Sequence, residues 1–204
     1  MKRLILFFSI ITLLCTNTLA QNSDPADKLA SQAQTFLAQK EFTKARYLFL
    51  KAYEAYGARQ NFEKAVECGV QTAALYYKEN YYKESFDLCR GMEQKVLVGE
   101  QQSGKQMPAL RYKINKVRYQ MYVAMKRPAQ SKQFLDVMRS FSIASKNEET
   151  ANDYLYTEAT YYYTFGMAQQ GDNTFKGLIA KYKSQKNYQK VSECYKTLIR
   201  IGVK

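Results

Sequence analysis

Residues 45–52 read Ala-Arg-Tyr-Leu-Phe-Leu-Lys-Ala, and the side chains of Ala45, Leu48, Phe49 and Ala52 stand at offsets 0, 3, 4 and 7. These offsets place four side chains on one stripe of an α-helix, the face that must be buried against a neighbour. The stretch therefore predicts an amphipathic helix that packs on at least one other helix.

The same four offsets return three more times along the chain. The later quartets are Ser85, Leu88, Cys89 and Met92; Ser131, Phe134, Leu135 and Met138; and Phe175, Leu178, Ile179 and Tyr182. Successive copies start 40, 46 and 44 residues apart, and a second apolar stripe precedes each of them. A supersecondary period of about 20–50 residues is typical of a solenoid, whose units pack only on their neighbours. The pattern predicts an all-α, right-handed solenoid of about four helical hairpins plus one unpaired C-terminal helix.

Turn and cap residues divide the chain into nine predicted helices. Pro25 and Pro128 suit first helical positions, and Asn61 suits a helix N-terminus. We expect one clear loop at residues 99–108, and a helix end at the Gly-Asp-Asn triplet 171–173. The periods are expected to be long because the first helix of each hairpin is long.

The start of the chain differs in composition from the rest. A basic pair precedes an apolar run at residues 4–14, and small residues stand just before Gln21. This order is typical of a secretory signal peptide, and an apolar core of about eleven residues is too short to span a bilayer comfortably. We expect residues 1–20 to be removed, and residues 21–204 to form one exported domain in the periplasm or outside the cell.

The chain is strongly basic, with 31 Lys and Arg, 18 Asp and Glu, and a formal net charge of +13. Loss of Lys2 and Arg3 with the signal peptide would leave +11. Such a balance favours anionic partners, although export argues against nucleic acid as the physiological one. The alternative is a generally basic surface that keeps the protein soluble, since no run of five like charges occurs.

Side chains suited to catalysis or metal binding are scarce. The chain has no histidine, no cysteine pair with zinc spacing and no glycine-rich phosphate loop after a strand. We therefore expect a protein that is not an enzyme and needs no metal or cofactor. The mature chain would hold three cysteines, Cys68, Cys89 and Cys194. We expect free thiols, and the alternative is one disulfide bond between Cys68 and Cys89.

The first hairpin resembles the tetratricopeptide repeat. The residues at the spacings of that family's signature are Ala33, Phe36, Phe42, Ala45, Phe49 and Ala52. The chain departs from the signature because it has no tryptophan and because its periods exceed the family's 34 residues. The resemblance implies a degenerate tetratricopeptide-like superhelix. The whole arrangement is also similar to exported helical-repeat regions of bacterial sensor proteins.

In the tetratricopeptide family, the first helices of successive hairpins line a groove that holds extended peptides. The resemblance transfers the groove positions to Tyr77, Lys78, Lys113, Lys116, Gln120, Tyr162, Lys196 and Arg200. The basic members predict a positive strip for an acidic ligand or a C-terminal carboxylate. The alternative is a solvated face whose lysines and tyrosines bind nothing specific.

These features predict an exported, non-enzymatic module that binds a protein or peptide. Two alternatives stay open: a ligand-sensing ectodomain of a signalling protein, and an envelope glycan-binding solenoid that uses some of the 18 tyrosines. The last helix should leave Tyr195, Leu198 and Ile201 partly exposed, for a downstream segment or a second copy of the chain to cover.

Overall fold

The computed structural model describes residues 24–202 of the chain. Over this range the fold is all-α, without strands, as the periodicity predicts. The helices are α1 (Pro25–Ala38), α2 (Phe42–Ala58), α3 (Phe62–Lys78), α4 (Tyr82–Ser103), α5 (Pro108–Ala124), α6 (Pro128–Ser145), α7 (Glu148–Thr164), α8 (Ala168–Ser184) and α9 (Tyr188–Gly202). The predicted signal peptide at residues 1–20 lies outside the described residues. None of the helices from α1 to α9 is long and apolar enough to cross a membrane.

Several helix starts form where capping chemistry predicts them. The Asp24 carboxylate accepts the N–H of Ala26 at 2.8 Å, directly before the proline that opens α1. The side-chain oxygen of Asn61 accepts an N–H at the start of α3, and that of Asn147 does the same for α7. These bonds satisfy backbone donors that have no partner inside the helix.

Six connections between the described helices share one three-residue turn. The middle residue has a positive φ, from 55° at Lys126 to 82° at Gly166. The next N–H donates to the carbonyl oxygen five residues earlier, at 2.7 to 3.0 Å, which closes the end of the preceding helix. In each case that carbonyl belongs to an aromatic residue: Phe36, Tyr56, Tyr76, Tyr122, Tyr162 and Tyr182. Because these turns are so short, consecutive helices pack as antiparallel hairpins.

A small buried residue occupies the fourth position of each even-numbered helix from α2 to α8. The four residues are Ala45, Ser85, Ser131 and Gly171. Their spacing is 40, 46 and 40 residues, so the position equivalent to Ala45 in the last hairpin is Gly171. The predicted fourth quartet, which begins at Phe175, is therefore one helical turn too late, although all four of its side chains are buried.

Two predicted boundaries are wrong for identifiable reasons. Residues 171–173 do not end a helix, because the turn falls at residues 165–167 and α8 has already begun. Residues 99–103 continue α4 instead of forming a loop, since Gly99 is the point where that helix packs on Phe62. A Cβ atom on Gly99 would lie 2.7 Å from the Phe62 ring, so this glycine permits a close approach and does not break the helix.

The extra length of the second hairpin lies in its second helix, not in its first as we expected. α4 has 22 residues, against 17 in α3 and 17 in α5. It ends at Gly104, whose φ is 65°. The Glu100 carboxylate then accepts the N–H of Met107 at 2.8 Å and the guanidinium of Arg111, which fixes the short connection to α5.

The core consists of three clusters that follow one another along the chain. The first joins α1 to α5, the second α5 to α7, and the third α7 to α9. Neighbouring clusters share one helix, so most contacts connect helices that are close in sequence. This is the packing expected of a helical repeat array.

Helix α9 packs on the preceding hairpin through one stripe. Val191 and Cys194 are buried, whereas Leu198 and Ile201 are partly buried and Tyr195 is 45% exposed. The exposure expected on this helix is confirmed. Ile199 is 66% exposed, because it follows Leu198 by a rotation of about 100° and leaves the buried stripe.

Candidate ligand-binding groove

A groove of about 880 Å³ runs along the odd-numbered helices α1, α3 and α5 and reaches the start of α7. These are the first helices of successive hairpins. Five of the eight predicted groove residues line it: Tyr77, Lys78, Lys113, Lys116 and Gln120. The structure thus brings together side chains from helices that are more than thirty residues apart in sequence.

The other three predicted residues do not line this groove. Tyr162 is half-buried near the end of α7, with its ring 5.9 Å from that of Tyr161. It belongs to the set of aromatic residues whose carbonyl oxygens close the hairpin turns. Lys196 and Arg200 are exposed on α9, at the far end of the described array.

Ion pairs connect the odd-numbered helices across the groove. Lys113 on α5 donates to Glu67 on α3 at 2.7 Å. Lys116, one turn further along α5, donates to both carboxylate oxygens of Asp153 on α7, at 2.6 and 2.7 Å. Two of the lysines expected to form a positive strip are therefore already paired with carboxylates from neighbouring hairpins.

Asp153 also accepts a hydrogen bond from a buried tyrosine. The hydroxyl of Tyr112, which is 3% exposed, donates to Asp153 at 2.7 Å. Burial and the nearby carboxylate raise the pKa of Tyr112, and burial raises that of Tyr77. Both hydroxyls therefore keep their protons at neutral pH, and the Tyr77 hydroxyl donates to Gln120 at 3.4 Å. These tyrosines serve as neutral hydrogen-bond donors.

Sequence reasoning missed the acidic side of the groove, although a signal for it was present. Asp27, Glu67, Lys113, Asp153 and Glu193 follow one another at 40, 46, 40 and 40 residues, and each lies on an odd-numbered helix. Only the third of these equivalent positions holds a basic residue. This residue, Lys113, can therefore pair with Glu67 at the second position. At the fourth position, Asp153 binds Lys116 on α5.

The charges along the groove balance one another. Its lining includes four lysines and four carboxylates: Lys64, Lys78, Lys113 and Lys116, with Glu63, Glu67, Glu149 and Asp153. Lys78 is exposed and makes no ion pair within the described part of the chain. The strong positive charge of the protein therefore lies mainly outside the groove.

A second pocket, of about 570 Å³, continues from α7 to α9. It shares Glu149 and Asp153 with the groove, and its charged lining comprises Glu148, Glu149, Asp153, Glu193 and Lys190. Three of these carboxylates are paired with lysines: Glu148 with Lys181, Asp153 with Lys116 and Glu193 with Lys190.

The tyrosines give little support to glycan stacking. Seven of them are buried: Tyr53, Tyr56, Tyr112, Tyr119, Tyr154, Tyr161 and Tyr182. A buried ring packs against protein and presents no free face to a sugar. Much of the tyrosine content is therefore explained by the core and the turns.

The three cysteines of the described residues are free and buried. Burial raises the pKa of Cys68 to about 11 and that of Cys89 to about 12. Because the thiolate is the reacting form, labelling of Cys68 and Cys89 at pH 8 should be at least about 100-fold slower in the folded protein than in the unfolded one. Labelling of a chain that starts at Gln21 with a chromogenic disulfide reagent, before and after guanidinium unfolding, measures this difference. Recovery of fewer than three thiols without a reductant would contradict the free state.

Comparison with models of known protein families gives no match, and no curated protein is significantly similar in sequence to this chain. The packing, the repeated turns and the groove therefore carry the functional argument.

Proposed function

We propose that the mature chain, residues 21–204, is an exported, non-enzymatic module that binds an extended protein or peptide segment in the groove along its odd-numbered helices. The proposal includes removal of residues 1–20, location in the bacterial envelope or outside the cell, and a right-handed tetratricopeptide-like superhelix. The observation that carries it is the groove itself, which is lined by the first helices of three successive hairpins and by the start of a fourth.

The lining of the groove suits a peptide backbone. Ala30, Ala74 and Ala109 contribute small side chains, so a ligand main chain can approach the helices closely. Gln34 and Gln120 offer amide donors and acceptors, which match the N–H and C=O groups of an extended segment. The exposed Lys78 is available for an acidic group of such a ligand.

The proposal is tested with displayed random linear peptides selected on the folded protein. Gln34 and Gln120 are replaced separately by arginine, which places a long side chain in the groove. We expect each change to weaken the selected peptides about tenfold or more, the effect of losing one or two hydrogen bonds together with steric exclusion.

A matched control lies on the same helix. Gln32 is exposed on α1 and does not line the groove, so Gln32→Arg adds the same charge and the same bulk elsewhere. Binding should be unchanged in this variant. If Gln32→Arg and Gln34→Arg reduce binding equally, the peptides bind another surface and the proposal fails.

A further inference from the structure

The outer face of α9 carries three large exposed side chains. Tyr188, Tyr195 and Ile199 are 67%, 45% and 66% exposed, and with the exposed Ser192 they form what we call the α9 stripe. Their offsets of 0, 4, 7 and 11 place all four on one face of the helix. The pocket next to α7 is lined by other residues of α9 and of the turn before it: Asn187, Lys190, Glu193 and Cys194.

The positions equivalent to this stripe are covered in the preceding hairpins. The Ile199 position holds Ala33, Ala73, Tyr119 and Ala159, and the Ser192 position holds Ala26, Val66, Tyr112 and Asn152; all eight residues are buried. The Tyr195 position holds Leu29, Gly69, Asn115 and Leu155, each of which is buried or partly buried. Among the described odd-numbered helices, α9 is therefore the one that exposes this face.

Contacts in two hairpins show what covers the face. The hydroxyl of Ser85 on α4 donates to the carbonyl oxygen of Ala73 on α3 at 2.9 Å. A Cβ atom on Gly171 of α8 would lie 3.2 Å from the carbonyl oxygen of Ala159 on α7. Ser85 and Gly171 are the small buried residues at the fourth positions of their helices. The contact that α9 lacks is therefore an antiparallel helix with a small side chain near Ile199.

Basic side chains border the α9 stripe on both edges. The ammonium group of Lys183 on α8 lies 3.5 Å from the hydroxyl of Tyr195 and 5.8 Å from the centre of its ring. Lys196 and Arg200 are exposed and stand four residues apart, so they form a row along the other edge. Within residues 24–202, none of these three cations forms an ion pair with a carboxylate. They are available to a negatively charged partner.

The charge around the stripe favours an acidic occupant over a second copy of the chain. Residues 168–202 hold seven Lys and Arg but only two Asp and Glu. A two-fold contact through α9 would bring two such basic surfaces together, and like charges across an interface weaken binding. An anionic bilayer offers the opposite charge but not the helix that the repeat places against this face.

We propose that the α9 stripe binds an acidic amphipathic helix of a partner protein. This helix lies antiparallel to α9, in the place that α2, α4, α6 and α8 take in the preceding hairpins. Its apolar side chains cover Tyr195 and Ile199, and its carboxylates pair with Lys183, Lys196 and Arg200. The proposal goes beyond the peptide groove, which is lined by α1, α3, α5 and the start of α7.

The test uses two synthetic peptides that span residues 82–103, the sequence of α4. This helix is chosen because residues 186–194 match residues 60–68 at the start of α3, on which α4 packs. The acidic peptide carries Lys83→Glu and Arg90→Glu, and the basic peptide carries Glu84→Lys and Asp87→Lys. None of these four side chains is buried in α4, so both peptides keep its apolar face.

Binding of each labelled peptide to the chain that starts at Gln21 is measured by fluorescence anisotropy in the presence of a reductant. We expect the acidic peptide to bind at least about tenfold more tightly than the basic one. Ile199→Asp should raise the Kd of the acidic peptide about tenfold or more, because it places a carboxylate in the apolar contact. The double change Lys196→Glu and Arg200→Glu should reverse the preference between the two peptides.

The matched control is Ile143→Asp. Ile143 is 70% exposed on α6, so this variant makes the same chemical change on another helix. Both isoleucines are largely exposed, so both variants should remain folded, which circular dichroism checks. The acidic peptide should bind to the Ile143→Asp variant as it binds to the unchanged chain. Equal binding of the two peptides, or an equal loss in the two isoleucine variants, would overturn the inference.

Two further measurements identify the other occupants. A dimer in sedimentation that Ile199→Asp dissociates would show that a second copy covers the stripe, and the inference would fail. Binding to phosphatidylglycerol vesicles that Ile199→Asp abolishes, with no binding of the acidic peptide, would assign the stripe to a lipid surface and would also overturn it.

The groove function is judged separately by the same variants. Peptides selected on the groove should keep their affinity in the Ile199→Asp variant, and the acidic α4 peptide should keep its affinity in the Gln34→Arg variant. If the acidic peptide does not bind while the groove peptides do, the inference fails and the groove function stands. If the acidic peptide binds and no groove peptide is selected, the groove function fails and the inference stands.

Discussion

Phe175→Ala should lower the free energy of unfolding by about 3–5 kcal/mol. Phe175 is fully buried in α8, with its ring 5.5 Å from that of Tyr156 in an edge-on arrangement and 6.1 Å from that of Tyr163. Truncation removes the transfer free energy of the ring and leaves a cavity that α7 and α8 can close only in part. Urea unfolding followed by circular dichroism measures the loss.

The effect should be concentrated at the C-terminal end of the array. Phe175 belongs to the cluster that joins α7 to α9, and this cluster shares only α7 with the rest of the core. In a repeat array, the free energy of unfolding is approximately the sum of the stabilities of the single repeats and of the interfaces between adjacent repeats. Hydrogen exchange should therefore become faster in α8 and α9, while the amides of α1 to α4 keep their protection.

Phe42→Ala is the matched control for the same chemical change. Phe42 is 44% exposed at the start of α2, so its truncation should cost about 1 kcal/mol or less. A loss at Phe42 as large as that at Phe175 would show that the packing of α8 is not as described.

The helices and most of their turns could be predicted because their signals are local. A buried stripe at helical spacing, a proline at a first helical position and an asparagine cap act within one or two turns of the chain. Leu135 in the third quartet is 1% exposed, as expected, whereas Leu88 in the second is only partly buried. The helical period identifies the inward stripe, but how deeply each side chain is buried depends on the partner helix.

The position of the groove could be predicted from the sequence, but the pairing of its lysines with carboxylates could not. Lys113 and Lys116 were placed correctly because the repeat puts equivalent residues on one face. Their partners, Glu67 and Asp153, lie on other helices, 46 and 37 residues away along the chain. Pairing over such distances depends on which equivalent positions become neighbours, and this requires the register of every hairpin to be correct.

The predicted register of the last hairpin was wrong because Gly171 can be explained either by a turn or by close helix packing. Gly171 stands before Asp172 and Asn173, a combination that favours a turn. In the structure it is a buried helical residue in the position that holds Ala45, Ser85 and Ser131 elsewhere. The requirement for a small side chain between packed helices explains the glycine, and composition alone does not separate the two causes.

Substitution of Gly171 should reverse the usual effect of replacing a helical glycine. Alanine in place of an unconstrained helical glycine stabilises a helix by about 0.5–1 kcal/mol, because it reduces the freedom of the unfolded chain. At Gly171, however, a Cβ atom would lie 2.6 Å from two carbon atoms of the Tyr163 ring and 3.2 Å from the Ala159 carbonyl oxygen. The Tyr163 hydroxyl donates to Asp172 and its ring packs near Phe175, so the ring cannot move away without losing contacts.

Gly171→Ala should therefore destabilise the protein, since overpacking costs about 1–3 kcal/mol and exceeds the helical gain. Gly177→Ala tests the same change on the same helix, at an exposed position where a Cβ atom meets nothing within 4 Å. Neither glycine has a positive φ, so backbone strain enters in neither case. Gly177→Ala should stabilise the protein by about 0.5–1 kcal/mol. Urea unfolding of the two variants should give changes of opposite sign, and stabilisation by both would mean that Gly171 does not occupy the small buried position between α7 and α8.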